Sequence, residues 1–538
     1  MSEREGVRTP VAALAVAMAA LAVFALALGN DFAYDDVPIL LGDPRLRPPL
    51  DLRGIFTGGY WQNSDLALYR PVVTLSFALD WVLAPQSPAW FHLTNALLHA
   101  AASVLAFLVL ARLFEPAAAL FGGLVFAVHP VHVEAVANIV GRAELLAAVF
   151  VFAACLVWDG AGKFRTAAVA GLYALALLSK ESAIMLPALL VLLDAGRGER
   201  FRHGFRAWAR ARARPLLALA AVAALYLVVR HAVLGGLAPG RVDPSLELAR
   251  SGGDRILTAL QAWPVFARLF FLPDVLLADY GPRILLPADG LNPAALAGAA
   301  LVACTVLGGA AALAAGARRA AFGLLWFPVS LLPVSNLLVP IGVVAAERTL
   351  YLPSLSLAVA AAGVALALTR VPAGLRRPAT AAAAVVLIFL AGRSVLRIPD
   401  WKSTDSIMAA LVRDRPDSFR GTWHGARFLR QQGDPAAASA AYDRAIQLWP
   451  HRQALVIEAA AYAVDSGRLQ RAAELASMLV RDWPDDVAGY RLLAGLALDS
   501  GDRRAAADAI QNGLRLAPAD DILRRMAAAL DSTTAESR

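Results

Sequence analysis

Long apolar runs separated by short polar segments fill the first 396 residues of this 538-residue chain. A helix needs about 20 apolar residues to cross the hydrocarbon core of a membrane. The pattern predicts about eleven spans, at about 10–29, 90–111, 117–128, 145–158, 166–179, 183–194, 215–234, 293–315, 320–335, 350–369 and 378–396. The run at 255–271 is interrupted by Arg255, Pro264 and Arg268, which favours an interfacial or re-entrant helix.

From Arg397 onward the pattern changes to amphipathic helices that repeat every 34 residues. The repeated positions are Pro416, Pro450, Pro484 and Pro518; Gly433, Gly467 and Gly501; Ala426, Ala460 and Ala494; and Ala438, Ala472 and Ala506. This period is typical of tetratricopeptide repeats, in which each unit is a helix–turn–helix.

These patterns predict an all-α fold, with a polytopic membrane helix bundle followed by an α-solenoid. The predicted domains are a membrane domain at 1–396 with a large outer loop at 30–88, a linker and leading helix at 397–416, three repeats with a capping helix at 417–530, and a tail at 531–538.

The composition excludes a soluble enzyme and a disordered protein, because 59% of the residues are hydrophobic and only 17% are charged. The mean hydropathy is +0.57. The 50 basic residues outnumber the 42 acidic ones, and they gather in alternate connecting segments, most densely at 197–214. By the positive-inside rule these segments face the cytoplasm. The sequence therefore predicts a multi-pass inner (plasma) membrane protein with extracytoplasmic (periplasmic) repeats, and no nucleic-acid partner.

Adjacent acids follow the first span, at the start of the outer loop. Charged groups at a membrane are costly and tend to mark functional cavities. Asp35 and Asp36 can supply a general base or a metal ligand, although the pair is also typical of a simple turn after a helix. Arg70 lies in the same loop and is a candidate for binding an anionic group.

His129, His132 and Glu134 form a second cluster at a span end. This spacing is compatible with a divalent metal ion, which is the one cofactor that the sequence leaves open, and equally with a hydrogen-bonded structural corner. No cofactor follows with certainty.

Cations at three further span ends are candidates for holding a phosphate. Lys180 would act as a point charge, or form a hairpin ion pair with Glu181. Arg348 suits bidentate phosphate contact, with Glu347 orienting it, or it anchors the span end at the membrane interface. Arg142 is the remaining candidate.

Several motifs occur in the order found in the TMTC family: YDD at 34–36, RP at 70–71, HLTNALLH at 92–99, FAVHPVHVEAV at 126–136, GRAEL at 141–145, SKES at 179–182, SN at 335–336 and AERTLYLPS at 346–354. The chain resembles this family of membrane proteins with C-terminal tetratricopeptide repeats, which look like GT-C glycosyltransferases. The resemblance implies a polyprenyl-phosphate-linked sugar as donor and O-mannosylation of an acceptor protein. It also matches Asp35 and Asp36 to the acidic motif of the first outer loop. With only three clear repeats, the chain looks like a bacterial relative.

Two classes of function follow. The first is inverting glycosyl transfer, with Asp36 or Asp35 as general base, Arg348 and Lys180 on the lipid phosphate, and the repeats binding the acceptor protein. The rival is a non-enzymatic envelope scaffold whose repeats bind partner proteins. A transporter of hydrophobic substrates would place charges deep within the spans, whereas here they gather at span ends.

Overall fold

The computed structural model describes residues 3–61, 67–158, 164–198, 204–237 and 242–536. Parts of the outer loop (62–66), of two predicted cytoplasmic segments (159–163 and 199–203) and of the tail (537–538) lie outside these described residues. Every regular element in the described ranges is a helix, so the all-α prediction is confirmed there. The chain forms two compact units, Met1–Ile407 and Met408–Arg538.

Among the described residues, seventeen α-helices precede the last turn before the repeats. They are α1 Glu3–Phe24, α2 Leu52–Thr57, α3 Pro71–Leu83, α4 Pro88–Leu110, α5 Pro116–Val128, α6 Val133–Ala137, α7 Arg142–Val157, α8 Arg165–Ser179, α9 Leu186–Arg197, α10 Phe205–Leu234, α11 Pro244–Glu247, α12 Gly252–Leu260, α13 Ala262–Phe271, α14 Pro293–Ala314, α15 Arg318–Leu331, α16 Leu355–Leu368 and α17 Ala373–Arg397. Short 3-10 or π turns lie at Ala25–Gly29, Val37–Leu41, Pro44–Leu46, Pro130–His132, Ile139–Gly141, Glu181–Met185, Leu332–Val334, Glu347–Leu350 and Ile398–Trp401.

Six helical segments among the described residues are long and apolar enough to cross a membrane: Thr9–Gly29, Pro88–Leu110, Ile139–Val157, Arg206–Leu234, Pro293–Ala314 and Gly374–Trp401. Helices Pro116–Val128 and Pro130–Ala137, bent by 46°, make a seventh if they form one span. Pro71–Leu83, Arg165–Ser179 and Leu355–Leu368 are shorter apolar helices. The protein is therefore a multi-pass membrane protein, with six or seven spans by length and composition where the sequence predicts about eleven.

The span that contains α7 lies at the centre of the first unit. Of its most apolar stretch, 78% is buried by other helices, against 11% for Pro293–Ala314 and for Gly374–Trp401. Helices α1, α4, α5 and α16 pack against one another beside it. The charged side chains described below lie in the predicted outer loop, in α6 and α7, in the turn after α8 and in the turn before α16.

The predicted outer loop contains a helix that the sequence pattern did not separate from it. Helix α3 begins at Pro71, where the missing N–H costs no helical hydrogen bond. It buries Val73, Phe77 and Trp81 against residues of the loop and of α4. The loop is therefore folded onto the bundle. The run at 255–271, predicted as one interfacial or re-entrant helix, forms two helices that meet at Gln261.

The second unit contains α18 Thr404–Asp414, in which the boundary between the units falls, followed by α19 Phe419–Gln431, α20 Pro435–Leu448, α21 Gln453–Asp465, α22 Leu469–Asp482, α23 Val487–Asp499, α24 Arg503–Leu516 and α25 Asp521–Glu536. The helix α25 continues into the predicted tail, beyond the predicted end of the capping helix at Leu530.

The 34-residue period corresponds to three pairs of short helices. Gly433, Gly467 and Gly501 follow the first helix of each pair with φ of 75°, 72° and 74°, a region that glycine enters without a steric penalty. The six alanines of the two repeated columns are all fully buried, which lets paired helices approach closely. The structure is thus consistent with tetratricopeptide-type repeats.

Candidate active site

The two adjacent acids after the first span have different environments. Asp36 is completely buried, and its carboxylate accepts hydrogen bonds from Ala33 N (3.1 Å) and Val140 N (2.9 Å). Burial raises the pKa of Asp36 to about 7, against the effect of these two backbone donors. The side chain therefore joins the first loop to the turn before α7. Asp35 is only half-buried.

Asp35 and Glu134 both act on Arg348. Burial opposes the charge of the Arg348 guanidinium, but Glu134 and Asp35 together hold its pKa above the ordinary value. Glu134, itself buried, accepts a hydrogen bond from Arg348 N (2.8 Å) and pairs with the guanidinium. Three segments that are far apart in sequence therefore meet at one cation.

Two further ion pairs lie beside Arg348. Lys180 pairs with Glu144 of α7, and both side chains are buried. Arg70 pairs with Glu181 at 2.9 Å. Burial, followed by the nearby cations Arg70 and Arg348, lowers the pKa of Lys180 well below its usual value. The three cations are therefore close enough to influence one another electrostatically. The predicted hairpin pair between Lys180 and Glu181 is thus replaced by two pairs with other elements.

We call this group the charge cluster. It consists of Asp35, Asp36, Arg70, Glu134, Glu144, Lys180, Glu181 and Arg348. Each of its three cations has a carboxylate partner on a different element, so the charges are fixed in place before any ligand binds. A carboxylate beside preorganised cations is the arrangement that acid–base chemistry on an anionic substrate requires.

Arg142 lies deeper than the cluster and its donors are occupied. It is fully buried, bonds Asn95 Oδ1 (2.8 Å) and Phe91 O (3.0 Å), and pairs with Asp80 at 2.6 Å. These bonds join α7 to α3 and α4. We therefore assign Arg142 to the support of the site and do not retain it as a phosphate ligand.

Glu347 is directed away from Arg348, which it was expected to orient. Its Oε1 accepts hydrogen bonds from Leu277 N and from the Tyr280 hydroxyl (2.9 Å). Burial raises the pKa of Glu347 to about 8, while Arg397 opposes the rise. Glu347 therefore anchors the irregular segment between α13 and α14.

His129, His132 and Glu134 have separate protein partners. His129 Nε2 lies 3.1 Å from Phe270 O, its Nδ1 accepts from Val131 N (3.2 Å), and His132 Nε2 lies 2.8 Å from Ser354 Oγ. Glu134 is occupied by Arg348. Within the described ranges no group of three or more His, Cys, Asp or Glu side chains is arranged to hold a metal ion. The two histidines instead stabilise the corner where Pro130 interrupts the helix.

Comparison with known proteins gives several related sequences. The chain is 29% identical to the mouse protein O-mannosyl-transferase TMTC3 over 60% of this chain and 39% of the relative. It is 26% identical to the protein O-mannosyl-transferase F38B6.6 of Caenorhabditis elegans (79% and 60%), and 27% identical to mouse TMTC4 (79% and 65%). The chain is a distant homologue of the TMTC protein O-mannosyltransferases. It spans between about two-fifths and two-thirds of the length of these relatives. No protein-family profile matches the chain.

The segments that carry the TMTC-like motifs are also the segments that form the charge cluster. The motifs at 34–36, 70–71, 126–136, 141–145, 179–182 and 346–354 each contribute a residue to the charge cluster or its support. Sequence reasoning did not single out Glu144 or Tyr60, whose ring lies under the Arg70 guanidinium at 5.3 Å. Glu144 belongs to the GRAEL motif at 141–145, and Tyr60 lies in the predicted outer loop. No neighbouring residue in the sequence indicates which side chain either of them contacts.

Proposed function

We propose that this chain is a membrane glycosyltransferase that moves a sugar, mannose by homology, from a polyprenyl-phosphate donor to a hydroxyl group of a protein. The observation that carries the proposal is the charge cluster, in which three cations and five carboxylates meet at the ends of apolar helices. Taking such charges out of water costs several kcal/mol per ion, and ion pairing often repays this cost only in part. A scaffold or an anchor has no use for a cluster of this cost.

The reaction needs one base and a site for the leaving phosphate. The acceptor oxygen forms a bond to the anomeric carbon while the bond from that carbon to the phosphate oxygen breaks. The polyprenyl phosphate leaves with the bonding electron pair, and the hydroxyl proton passes to a carboxylate. Arg348 and Lys180 hold the phosphate in this proposal, with Arg70 beside them.

We assign the base to Asp35 rather than to Asp36. A general base must reach the proton of a bound substrate, and half-buried Asp35 is near enough to Arg348, where the phosphate would bind, to raise the pKa of its guanidinium. Asp36 is fully buried and both of its oxygens accept backbone hydrogen bonds. Its role is to hold the Tyr34–Asp35 turn, in which Tyr34 has a positive φ of 54°.

We further propose the predicted topology, with about eleven crossings and with the cluster and the repeats on the extracytoplasmic face of the plasma membrane. Its support is the placement of arginines, together with the finding that each of the eleven predicted segments contains a helix. In this topology the repeats bind the acceptor protein. A reporter that is active only in the cytoplasm should be silent when fused after Asp531, and its activity would overturn the topology.

Mass spectrometry of envelope proteins tests the function in cells. A strain that lacks the gene should lose hexose-modified peptides and should accumulate the sugar-loaded polyprenyl phosphate. Reintroducing the wild-type gene should restore the hexose-modified peptides and remove the excess of donor lipid. The gene with Asp35→Asn should do neither. Unchanged hexose modification in the deletion strain would contradict the proposal.

A further inference from the structure

Three buried polar atoms without a protein partner in the described structure surround the Arg70–Glu181 ion pair. They are the hydroxyl of Tyr60, the hydroxyl of Tyr226 and Oε1 of Glu181. Buried polar groups in proteins nearly always have a hydrogen-bond partner, so each exception needs an explanation. Three exceptions around one ion pair point to a shared ligand.

The three atoms belong to one site built from three elements. Tyr60 comes from the first loop, where its ring lies 5.3 Å from the Arg70 guanidinium carbon. Glu181 follows α8 and binds Arg70 through Oε2, at 2.9 and 3.1 Å. Tyr226 projects from α10, and its ring lies 6.4 Å from the ring of Tyr69.

The rigid surroundings hold these groups in position. Arg230, one turn after Tyr226, donates to Ala67 O (2.9 Å), which ties α10 to the first loop. Tyr60 and Tyr226 are 3% and 6% exposed. The ion pair is more open, with side-chain exposure of 15% for Arg70 and 26% for Glu181. The ion pair therefore forms the accessible edge of this group, and the two tyrosine hydroxyls are buried behind it.

The chemistry of the three atoms favours a neutral polyol. Glu181 Oε1 can only accept a hydrogen bond while it is ionised, and Arg70 holds its pKa below the ordinary value against the effect of burial. One serine or threonine hydroxyl would satisfy one of the three atoms, whereas a hexose ring carries several hydroxyl groups that both donate and accept.

We infer that Tyr60, Tyr226 and Glu181 form the subsite that binds the hydroxyl groups of the donor sugar. This inference rests on the proposed function, since it places the sugar beside the cations assigned to the phosphate. Arg70 and Glu181 both act electrostatically on Lys180, so a sugar bound at Glu181 lies near the phosphate assigned to Lys180. The Arg70–Glu181 pair fixes the orientation of the carboxylate.

The test compares two ligands that differ only in the sugar. The affinities of polyprenyl-phosphate mannose and of polyprenyl phosphate are measured on the full chain in nanodiscs. Tyr60→Phe and Tyr226→Phe each remove one hydroxyl and keep the ring. Since one neutral hydrogen bond contributes roughly 0.5–1.5 kcal/mol, each variant should bind the mannose donor about 2- to 12-fold more weakly. Both should bind polyprenyl phosphate as the wild type does.

The control variant is Tyr69→Phe. Its hydroxyl already donates to Phe56 O at 2.9 Å, so its loss should leave the ratio of the two affinities unchanged. The inference is overturned if Tyr60→Phe and Tyr226→Phe leave that ratio unchanged, because the hydroxyls would then contact water only. A wild-type chain that binds neither ligand would instead overturn the proposed function, and the inference with it. Unchanged unfolding temperatures of the variants show that folding is not the cause.

Discussion

The buried ion pairs of the charge cluster differ from the Arg430–Asp465 pair between repeats in exposure and in the sequence distance that they span. In the first unit Arg348 pairs with Glu134 across 214 positions, and the side chains of Lys180 and Glu144 are 8% and 5% exposed. In the second unit the Arg430–Asp465 pair joins neighbouring repeats, with side chains 44% and 58% exposed. Exposed pairs contribute little to stability, whereas an incomplete buried pair is strongly destabilising. The repeats are thus held by apolar packing, and the first unit buries ion pairs that join distant segments.

The largest expected effect is on catalysis, from Asp35→Asn. Loss of a general base lowers kcat by about 10²- to 10⁴-fold, while donor affinity and the unfolding temperature should stay at wild-type values. Steady-state kinetics with polyprenyl-phosphate mannose measure this. Asp31→Asn is the control, since Asp31 is an exposed acid of the same loop. Asp36→Asn should lower the unfolding temperature. If Asp35→Asn retains near-normal kcat, the base lies elsewhere.

The next largest effect is on stability: breaking one ion pair in each unit should destabilise the first unit much more than the second. Glu144→Gln leaves Lys180 buried with a neutral partner and should destabilise the first unit by about 3–5 kcal/mol. Asp465→Asn removes an exposed pair and should cost less than about 1 kcal/mol. Denaturant unfolding in detergent, followed by tryptophan fluorescence, measures both. Equal losses would contradict the contrast between the units.

Removal of the repeats should weaken the binding of protein acceptors and leave the binding of the donor lipid unchanged. A chain truncated after Arg415 should keep its affinity for polyprenyl-phosphate mannose, whereas its KM for protein acceptors should rise by about 10-fold, equivalent to about 1.4 kcal/mol of lost binding. Transfer to a short peptide acceptor is the control and should change little. Undiminished transfer to every protein acceptor would show that the repeats do not recruit it.

The last prediction is a pH dependence of stability. Burial raises the pKa of Glu347 to about 8 from 4.5, so the folded state holds this proton more tightly than the unfolded chain. The resulting stability is complete below pH 4.5 and is lost as the pH rises through about 8. Asp36, with a pKa of about 7, acts in the same direction.

Between pH 6 and pH 9 the unfolding temperature should therefore fall, by about 1 °C for each kcal/mol lost in a unit of about 400 residues. Glu347→Gln mimics the neutral form, keeps the acceptor for Leu277 N and Tyr280, and should flatten this slope. The exposed Glu247→Gln is the control and should keep the wild-type slope. An equal slope in Glu347→Gln would assign the pH dependence to other groups.

The helices were predictable because their signals are local. Apolar runs of sufficient length and a 34-residue period are properties of the sequence itself, and the glycine that follows the first helix of each pair was readable for the same reason. Helix α3 was missed because its apolar positions stand within a long loop. Their burial depends on α4 and α7, which the loop sequence does not reveal.

The members of the charge cluster were largely predictable, but their partners were not. Lys180 pairs with Glu144, 36 positions away, and not with the adjacent Glu181, which binds Arg70 across 111 positions. Tertiary packing determines which side chains form such ion pairs, and a local sequence pattern cannot predict them. The same holds for Arg142 and Glu347, whose side chains were expected near the phosphate and instead join helices and a loop.

The most direct measurement is transfer by the purified chain in nanodiscs, with labelled polyprenyl-phosphate mannose and extracted envelope proteins as acceptors. The labelled sugar should become attached to protein hydroxyl groups by an O-glycosidic bond. One polyprenyl phosphate should be released for each sugar transferred. Asp35→Asn and Arg348→Ala should each suppress both products, while Asp465→Asn should leave them unchanged. An absence of transfer from the wild-type chain, or transfer that survives both substitutions in the cluster, would contradict its role as the active site.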